Sequence, residues 1–310
     1  MPIKISVTGD LGSGKSTVCR KLQAMYNLEM FSTGIIQRKL ASEMKMSIFD
    51  LNKYMETHPE IDRLIDGELI ALSDSNTDIV IDSRMAWHFV RNTYKVFLTV
   101  DETVAAKRVM YDKRGSSEIY SDVQDAKRQL KARKASENFR YKDKYHVDCY
   151  DLRNFDLIID TTSVSSDYTA NMIMSQYNAE DGAADKQFQL WLSQFCLYPT
   201  QTMKTMSDDI FEKYCDMILR NESLPPIDVL FSNGFFYIVN GHHSAAAYCK
   251  TKKPLIPCSL FAGSDDSMSG GSIDDQHAKN ELDITKIYDW EADNGFRYFS
   301  YPSEQPFIPH

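Results

Sequence analysis

The sequence has few cysteines, and none lie at the spacings that bind zinc. Its 310 residues include 6 cysteines, and no two of them form a C-x-x-C motif. A disulfide framework or a structural zinc site depends on closely spaced cysteines, so the sequence favours neither. We expect reduced thiols that pack as small hydrophobic side chains at Cys19, Cys149, Cys196, Cys215, Cys249 and Cys258.

Long apolar runs are also missing. No stretch approaches the roughly 20 consecutive apolar residues that a membrane-spanning helix requires. The chain enters a strand pattern at Ile3, which leaves no room for a signal-peptide pattern. We therefore expect a cytoplasmic protein that does not contact membranes.

Excess positive charge is absent, and the acidic charge is unevenly spread. The formal net charge is -9 at pH 7. Residues 1–178 carry equal numbers of acidic and basic side chains, so the whole excess lies in residues 179–310. Duplex DNA is bound through Lys and Arg contacts to phosphate, so this balance argues against a DNA partner.

A glycine-rich motif near the start is the strongest chemical signal. Residues 9–17 read Gly-Asp-Leu-Gly-Ser-Gly-Lys-Ser-Thr, between an apolar strand pattern and a helical pattern. This is the phosphate-binding loop G-x-x-x-x-G-K-[ST] in its strand–loop–helix context. Backbone N–H groups and the helix N-terminus would bind phosphates, with Lys15 on the β- and γ-phosphates and Ser16 on Mg²⁺. The ATP-binding residues predicted are Gly9, Gly12, Ser13, Gly14, Lys15, Ser16 and Thr17.

Strand and helix patterns alternate through the first half of the chain. Apolar runs at 3–8, 79–82, 96–100 and 157–160, with a weaker one at 28–31, predict five buried parallel strands. Helical patterns separate them, which predicts an α/β fold with helices on both faces of the sheet. A polar break at 178–185 predicts a boundary between a first domain, 1–178, and a second domain that begins near Lys186.

Residues 3–177 resemble the archaeal type of cytidylate kinase, within the nucleoside monophosphate kinases. The resemblance rests on the order and spacing of motifs at 9–17, 32–34 with Arg38, 59–62, 82–87, 133–141, 145–148 and 156–161. It implies a P-loop kinase that uses ATP and Mg²⁺ to convert CMP or dCMP into CDP or dCDP. The family usually has Gly where this chain has Ser83, so a small residue is kept before Arg84.

The resemblance also assigns roles to residues outside the loop. Asp82 ends an apolar strand and matches the acid that orients Mg²⁺. Arginines suit the transferring phosphoryl group because they bind phosphate oxygens bidentately. The catalytic set is Lys15, Asp82, Arg114, Arg133 and Arg140, and the acceptor set is Ser32, Arg38, Asp62, Arg84 and Glu137. Residues 112–121 would form a lid that excludes water.

The second domain shows a hairpin followed by a helix. Helical patterns are predicted around 188–195, 207–220 and 244–250, and residues 232–234 join two strand patterns. Residues 194–260 resemble the ParB/sulfiredoxin-like superfamily, which implies a smaller α+β domain at 186–262. Its G-x-x-R phosphate box reads Gly241, His242, His243 and Ser244 here.

The role of this box stays open between phosphate or nucleotide contact, helix-start packing and, least favoured, metal binding, because adjacent histidines do not face one point. Residues 263–310 are expected to form a mobile loop and an aromatic tail that packs on a domain. Three functions remain open for the whole chain: a nucleoside monophosphate kinase with a nucleotide-sensing or partner-binding domain, a kinase of an amino acid or protein, or a non-catalytic regulator.

Overall fold

The computed structural model describes residues 2–46, 48–112, 120–180, 189–202, 208–261 and 284–302. The chain divides into two compact units, Met1–Phe188 and Gln189–His310. The predicted break at 178–185 falls just before this division. The predicted lid, with Arg114, and the predicted mobile loop lie almost entirely outside the described residues.

The first unit alternates strands and helices. Its strands are β1 Lys4–Gly9, β2 Glu29–Ser32, β3 Ile79–Asp82, β4 Tyr94–Thr99 and β5 Leu157–Asp160. Its helices are α1 Lys15–Tyr26, α2 Thr33–Glu43, α3 Ile48–Thr57, α4 Pro59–Ala71, α5 Ala86–Phe89, α6 Glu102–Tyr111, α7 Val123–Tyr145 and α8 Ser166–Glu180.

These strands pair in the order β2-β3-β1-β4-β5, and all four neighbouring pairs are parallel. The parallel α/β fold predicted for this part is confirmed. All residues of β1, β3 and β5 are buried, which explains the apolar runs in β3 and β5. Strand β1 is buried as well, although it contains Lys4, Ser6 and Thr8. Because β1 lies between β3 and β4, the loops after these strands open at the same edge of the sheet, where ligands bind in such folds.

Helix α7 is long, polar and capped at both ends. The Asp122 side chain accepts a hydrogen bond from the Asp125 N–H, and His146 ends the helix with a φ of 57°. Leu130, Arg133 and Glu137 recur at helical spacing and line the same cavity. The cap and the spacing fix which side chains α7 presents to that cavity.

Over its described residues, the second unit combines a mixed sheet with three helices. Its strands are β6 Gln189–Leu192, β7 Leu197–Tyr198, β8 Ile227–Ser232, β9 Phe235–Asn240 and β10 Ile256–Leu260. The helices of its described residues are α9 Asp208–Leu219, α10 His242–Lys250 and α11 Ile284–Asn294. The strands pair in the order β6-β10-β8-β9-β7, with β8 and β9 as an antiparallel hairpin. Asn233 and Gly234 both have positive φ, as the two-residue turn requires.

The helix predicted around 188–195 is wrong. Residues 189–192 form β6, which pairs antiparallel with β10, and a 3₁₀ turn follows at Gln194–Cys196. Leu190 and Leu192 are buried while Gln189 and Trp191 are half-buried, so the segment alternates as a strand does. A short apolar run carries too little periodicity to separate strand from helix, and pairing with β10 decides it.

The aromatic residues near the end of the described chain pack within the second unit. Trp290 is buried on α11, and the Tyr298 hydroxyl donates a hydrogen bond to Leu197 O at 2.5 Å. Among the helices described, none is both long and apolar enough to cross a bilayer.

Candidate active site

A cavity of about 730 Å³ lies within the first unit, lined by the phosphate-binding loop, α2, α4, α6, α7 and the loop after β3. Its volume is within the range of sites that enclose small molecules, about 300–1,000 Å³. Of the predicted residues, Gly12, Ser13, Gly14, Lys15, Ser16, Thr17, Arg38, Asp62, Asp82, Arg84, Arg133 and Glu137 line it.

The loop backbone has the conformation that glycines permit. Gly12 and Gly14 have φ of 79° and 84°, and Gly14 begins α1 without a side-chain cap. An added Cβ at Gly12 would lie 2.8 Å from the backbone of Ala105, so no other residue fits there without displacement. Because α1 starts with Lys15, its N-terminus and partial positive charge face the cavity-lining loop.

Lys15 is half-buried and lies near the Arg84 guanidinium. Its Nζ donates hydrogen bonds to the carbonyl oxygens of Gly9 and Asp10, each at 2.9 Å. Burial and the neighbouring Arg84 guanidinium lower the pKa of Lys15 to about 7. The negative charge of phosphate oxygens would offset both effects and favour the charged form of Lys15.

Ser16 and Asp82 meet as the sequence predicts for a magnesium site. Ser16 Oγ donates to Asp82 Oδ2 at 2.6 Å, and Ser32 Oγ donates to the same oxygen at 3.4 Å. Mg²⁺ takes oxygen ligands and is commonly held by one or two carboxylates, waters and substrate phosphates. One hydroxyl and one carboxylate beside a phosphate-binding loop fit that requirement. No larger cluster of metal-ligating side chains occurs in the parts of the chain that the structure describes.

Glu137 contacts two arginines. Its Oε2 lies 2.6 Å from Arg84 Nε, and its Oε1 accepts from Arg133 Nε at 2.8 Å. Arg84 Nη1 also donates to Gly9 O. Burial would raise the pKa of Glu137, but the two guanidiniums outweigh it and lower this pKa to about 2.

Asp62 and Asp66, one turn apart on α4, line the cavity and contact the end of α7 directly. Tyr145 Oη donates to Asp66 Oδ2 at 2.6 Å, and Lys144 Nζ lies 3.0 Å from Asp62 Oδ2. Burial raises the pKa of Asp66 despite this hydrogen bond. Asp62 was predicted for the acceptor site, whereas Asp66 and Tyr145 were not. Their pairing joins residues 79 positions apart, which no local pattern encodes.

Three further arginines differ in their position relative to the cavity. Arg140 donates to Tyr141 Oη at 3.4 Å and lies over that ring, outside the set of cavity-lining residues. Arg108 lines the cavity and donates to Thr161 O at 2.6 Å. Arg128 pairs with Asp125 on the exposed side of α7.

In the second unit, the four residues of the predicted phosphate box start α10. Gly241 has a φ of 96°, and His242 and Ser244 are buried. The Thr200 N–H donates to His242 Nε2 at 3.2 Å, and the Trp290 ring lies beside the imidazole. Burial lowers the pKa of His242 to about 4, so this imidazole is a neutral, internally bonded side chain.

Comparison with known proteins finds a family match within the first unit. A family model described as an AAA domain matches residues 5–130. The cytidylate kinase of Thermoplasma volcanium is 31% identical over 178 residues, which cover 56% of this chain and 90% of that enzyme.

Two further similarities differ in extent. A protein of Lacinutrix mariniflava named S-adenosylmethionine-dependent nucleotide dehydratase is 33% identical over 195 residues, which are 62% of this chain and only 40% of that protein. The chain thus spans less than half of that relative. A crystal structure of sulfiredoxin from Arabidopsis thaliana aligns with 24% of this chain and 85% of that chain, at 23% identity. The TM-score of 0.22 is too low to indicate a shared fold.

Proposed function

The chain belongs, through its first unit, to the cytidylate kinase family, and from this membership we propose that it transfers a phosphoryl group from ATP to CMP or dCMP. The products are ADP and CDP or dCDP. The proposal rests mainly on one observation. Lys15, the hydrogen-bonded pair Ser16 and Asp82, Arg84 and Arg133 all line the same cavity. Cations and a magnesium-type oxygen pair at a phosphate-binding loop are what phosphoryl transfer requires.

The reaction joins two polyanions, so the residues act mainly on charge and position. An oxygen of the acceptor's phosphate forms a bond to the γ-phosphorus. The bond from that phosphorus to the bridging oxygen breaks, and ADP leaves with the electron pair. Lys15 and the loop N–H groups bind the donor phosphates. Arg38 and Arg84 bind the phosphate of the acceptor, and Arg133 binds the transferring phosphoryl group.

Ser16 and Asp82 are the residues that would hold Mg²⁺. When bound, the ion neutralises phosphate charge and orients the donor. Arg114 and Arg140 remain part of the proposed catalytic set, although Arg114 lies outside the described residues and Arg140 packs on Tyr141.

Asp62 supports a cytosine-containing acceptor. Cytosine presents an exocyclic amine donor, which needs a carboxylate or carbonyl acceptor. Asp62 and its neighbour Asp66 supply buried and half-buried carboxylates at the cavity wall. Uracil presents a carbonyl at the corresponding position, so the same carboxylates would repel it.

For the second unit we propose a nucleotide-sensing or partner-binding role. Because the His242 and Ser244 side chains are buried, anion contact there would fall to backbone N–H groups at the start of α10. The likeness of this chain to part of a protein named as a nucleotide dehydratase favours a nucleotide acceptor over an amino acid or a protein.

The test is steady-state ADP release with Mg²⁺ and ATP against CMP, dCMP, UMP, AMP, GMP and free serine. We expect turnover of CMP or dCMP at least about tenfold above the other acceptors, since one hydrogen-bond mismatch in a buried site costs that much or more. Lys15→Ala is the control and should lose turnover with every acceptor. Equal turnover of all acceptors, or of serine alone, would overturn the cytidylate assignment.

A further inference from the structure

Glu137 lies where three separate segments meet. It is 8% exposed, and its two carboxylate oxygens contact Arg84 Nε at 2.6 Å and Arg133 Nε at 2.8 Å. Arg84 follows β3, Arg133 precedes Glu137 by one turn of α7, and Arg84 also donates to Gly9 O at the start of the phosphate-binding loop. One carboxylate thus connects α7, the loop after β3 and, through Arg84, the phosphate-binding loop.

The contacts with Glu137 restrict the orientation of both guanidinium groups. A guanidinium has five N–H donors in a planar fork. Arg133 donates its Nε–H to Glu137 Oε1, and Arg84 forms an ion pair with Oε2, to which its Nε lies at 2.6 Å. An arginine side chain has many rotamers in water, and fixing it before the substrate binds removes that cost from the reaction. Arg84, Arg133 and Glu137 all line the cavity, so the fixed guanidiniums face the space where phosphates would bind.

We propose that Glu137 is a positioning residue, which holds Arg84 and Arg133 in the orientation that phosphoryl transfer requires and does not read the acceptor's base. The inference rests on the proposed kinase function and deepens it. It replaces the role in the acceptor site that the sequence suggested for this residue. The base subsite has its own carboxylates, Asp62 and Asp66, which contact α7 through Lys144 and Tyr145.

Charge makes the two roles distinguishable. Lys15, Arg84 and Arg133 surround Glu137, and its ionised carboxylate offsets part of their positive charge. Removing that charge strengthens the attraction of the site for a polyanion while releasing both guanidiniums. The rate of transfer should therefore fall although ground-state binding of nucleotide does not weaken. Loss of a base contact would instead weaken binding of one acceptor selectively.

The first variant is Glu137→Gln, which keeps the shape and removes the charge. We expect kcat to fall about 10- to 100-fold, by the same factor for CMP, dCMP and UMP, with KM for each unchanged or lower. In an Arg84→Ala background the same substitution should have a clearly smaller effect on kcat, since one of its partners is gone. A rise in KM confined to cytosine acceptors would overturn the proposal.

Two further variants separate positioning from stability. Glu137→Asp keeps the charge but is one methylene shorter, so it cannot span both arginines and should also lower kcat uniformly; wild-type kcat in this variant would count against the proposal. Glu102→Gln is the matched control, because Glu102 also pairs with two cations of α7, Lys127 and Lys131, and does not line the cavity. Its kcat should stay within about twofold of wild type.

A binding measurement distinguishes failure of the proposed kinase function from failure of the inference about Glu137. If the wild-type protein turns over no acceptor, the proposed function fails, and calorimetric titration with ADP then tests Glu137. The positioning role predicts that Glu137→Gln binds ADP at least as tightly as wild type. A tenfold weaker affinity in a folded variant would show that Glu137 supports binding itself and would refute the inference.

Discussion

Lys15 is a half-buried amine whose protonation should depend on whether phosphate is bound. In the ligand-free site its pKa is lowered to about 7, because burial and Arg84 both disfavour the ammonium form. Triphosphate oxygens beside Nζ favour the charged form and raise this pKa again. Nucleotide binding above pH 7 should therefore draw a proton from solution, since more Lys15 is charged in the complex than in the free protein.

The proton can be counted by calorimetry. With a free pKa of about 7, the titration of ATP should take up about 0.9 proton at pH 8, about 0.5 at pH 7 and about 0.1 at pH 6. The measurement is the dependence of binding enthalpy on the ionisation enthalpy of the buffer, with HEPES and Tris compared at pH 8. Lys15→Met should abolish this dependence. Uptake that does not change between pH 6 and pH 8 would contradict the assignment.

At the scale of the elements, the site depends on a close approach between β1 and β4. Gly9 ends β1 with a φ of 147°, and an added Cβ would lie 2.2 Å from Leu98 O. Asp10 N donates to the same oxygen at 2.8 Å, and Lys134 Nζ lies 2.7 Å from Asp10 Oδ1. Strand β4, the phosphate-binding loop and α7 are therefore held together at residues 9 and 10.

Gly9→Ala should lower the free energy of unfolding of the first unit by more than about 3 kcal/mol, since the clash is with backbone that cannot turn away. Gly67→Ala is the matched control: Gly67 is exposed on α4, and nothing lies within 4 Å of the added Cβ. That change should raise the free energy of unfolding by about 0.5–1 kcal/mol. Urea unfolding followed by circular dichroism measures both. Equal midpoints for Gly9→Ala and wild type would disprove the close approach.

At the scale of the whole molecule, the two units carry different chemistry. All residues that line the candidate active site belong to Met1–Phe188. In the second unit, His242 accepts a hydrogen bond from Thr200 N in the interior. We therefore expect that a substitution in the second unit changes the stability of that unit and leaves kcat unchanged.

His242→Ala should destabilise the second unit by about 1–3 kcal/mol, because it leaves the buried Thr200 N–H without this acceptor. Combined with His243→Ala, it should leave kcat for the preferred acceptor within about twofold of wild type. His243→Ala alone serves as the control for an effect of charge near α10. Thermal unfolding and ADP release are measured on the same samples, and a tenfold fall in kcat would mean that the second unit contributes to the active site.

The local sequence was sufficient to predict the structure of segments whose backbone conformation depends on their own residues. The phosphate-binding loop, the strand ending in Asp82, the hairpin turn at Asn233 and Gly234 and the helix carrying Arg133 could all be predicted. Glycine positions, apolar runs and helical spacing set these conformations directly. The segment at 188–195 could not, because its strand conformation depends on pairing with β10, more than 60 residues further along the chain.

The amino-acid sequence by itself determined that this protein carries a phosphate-binding loop on a parallel α/β fold, with a charge excess confined to its second half. Only the tertiary structure decided how the charged side chains pair. Glu137 holds Arg84 as well as Arg133, Asp66 accepts from Tyr145, and Asp10 pairs with Lys134, 124 positions away. A sequence pattern reports which face of an element a residue occupies, whereas the partner on that face depends on how distant elements pack.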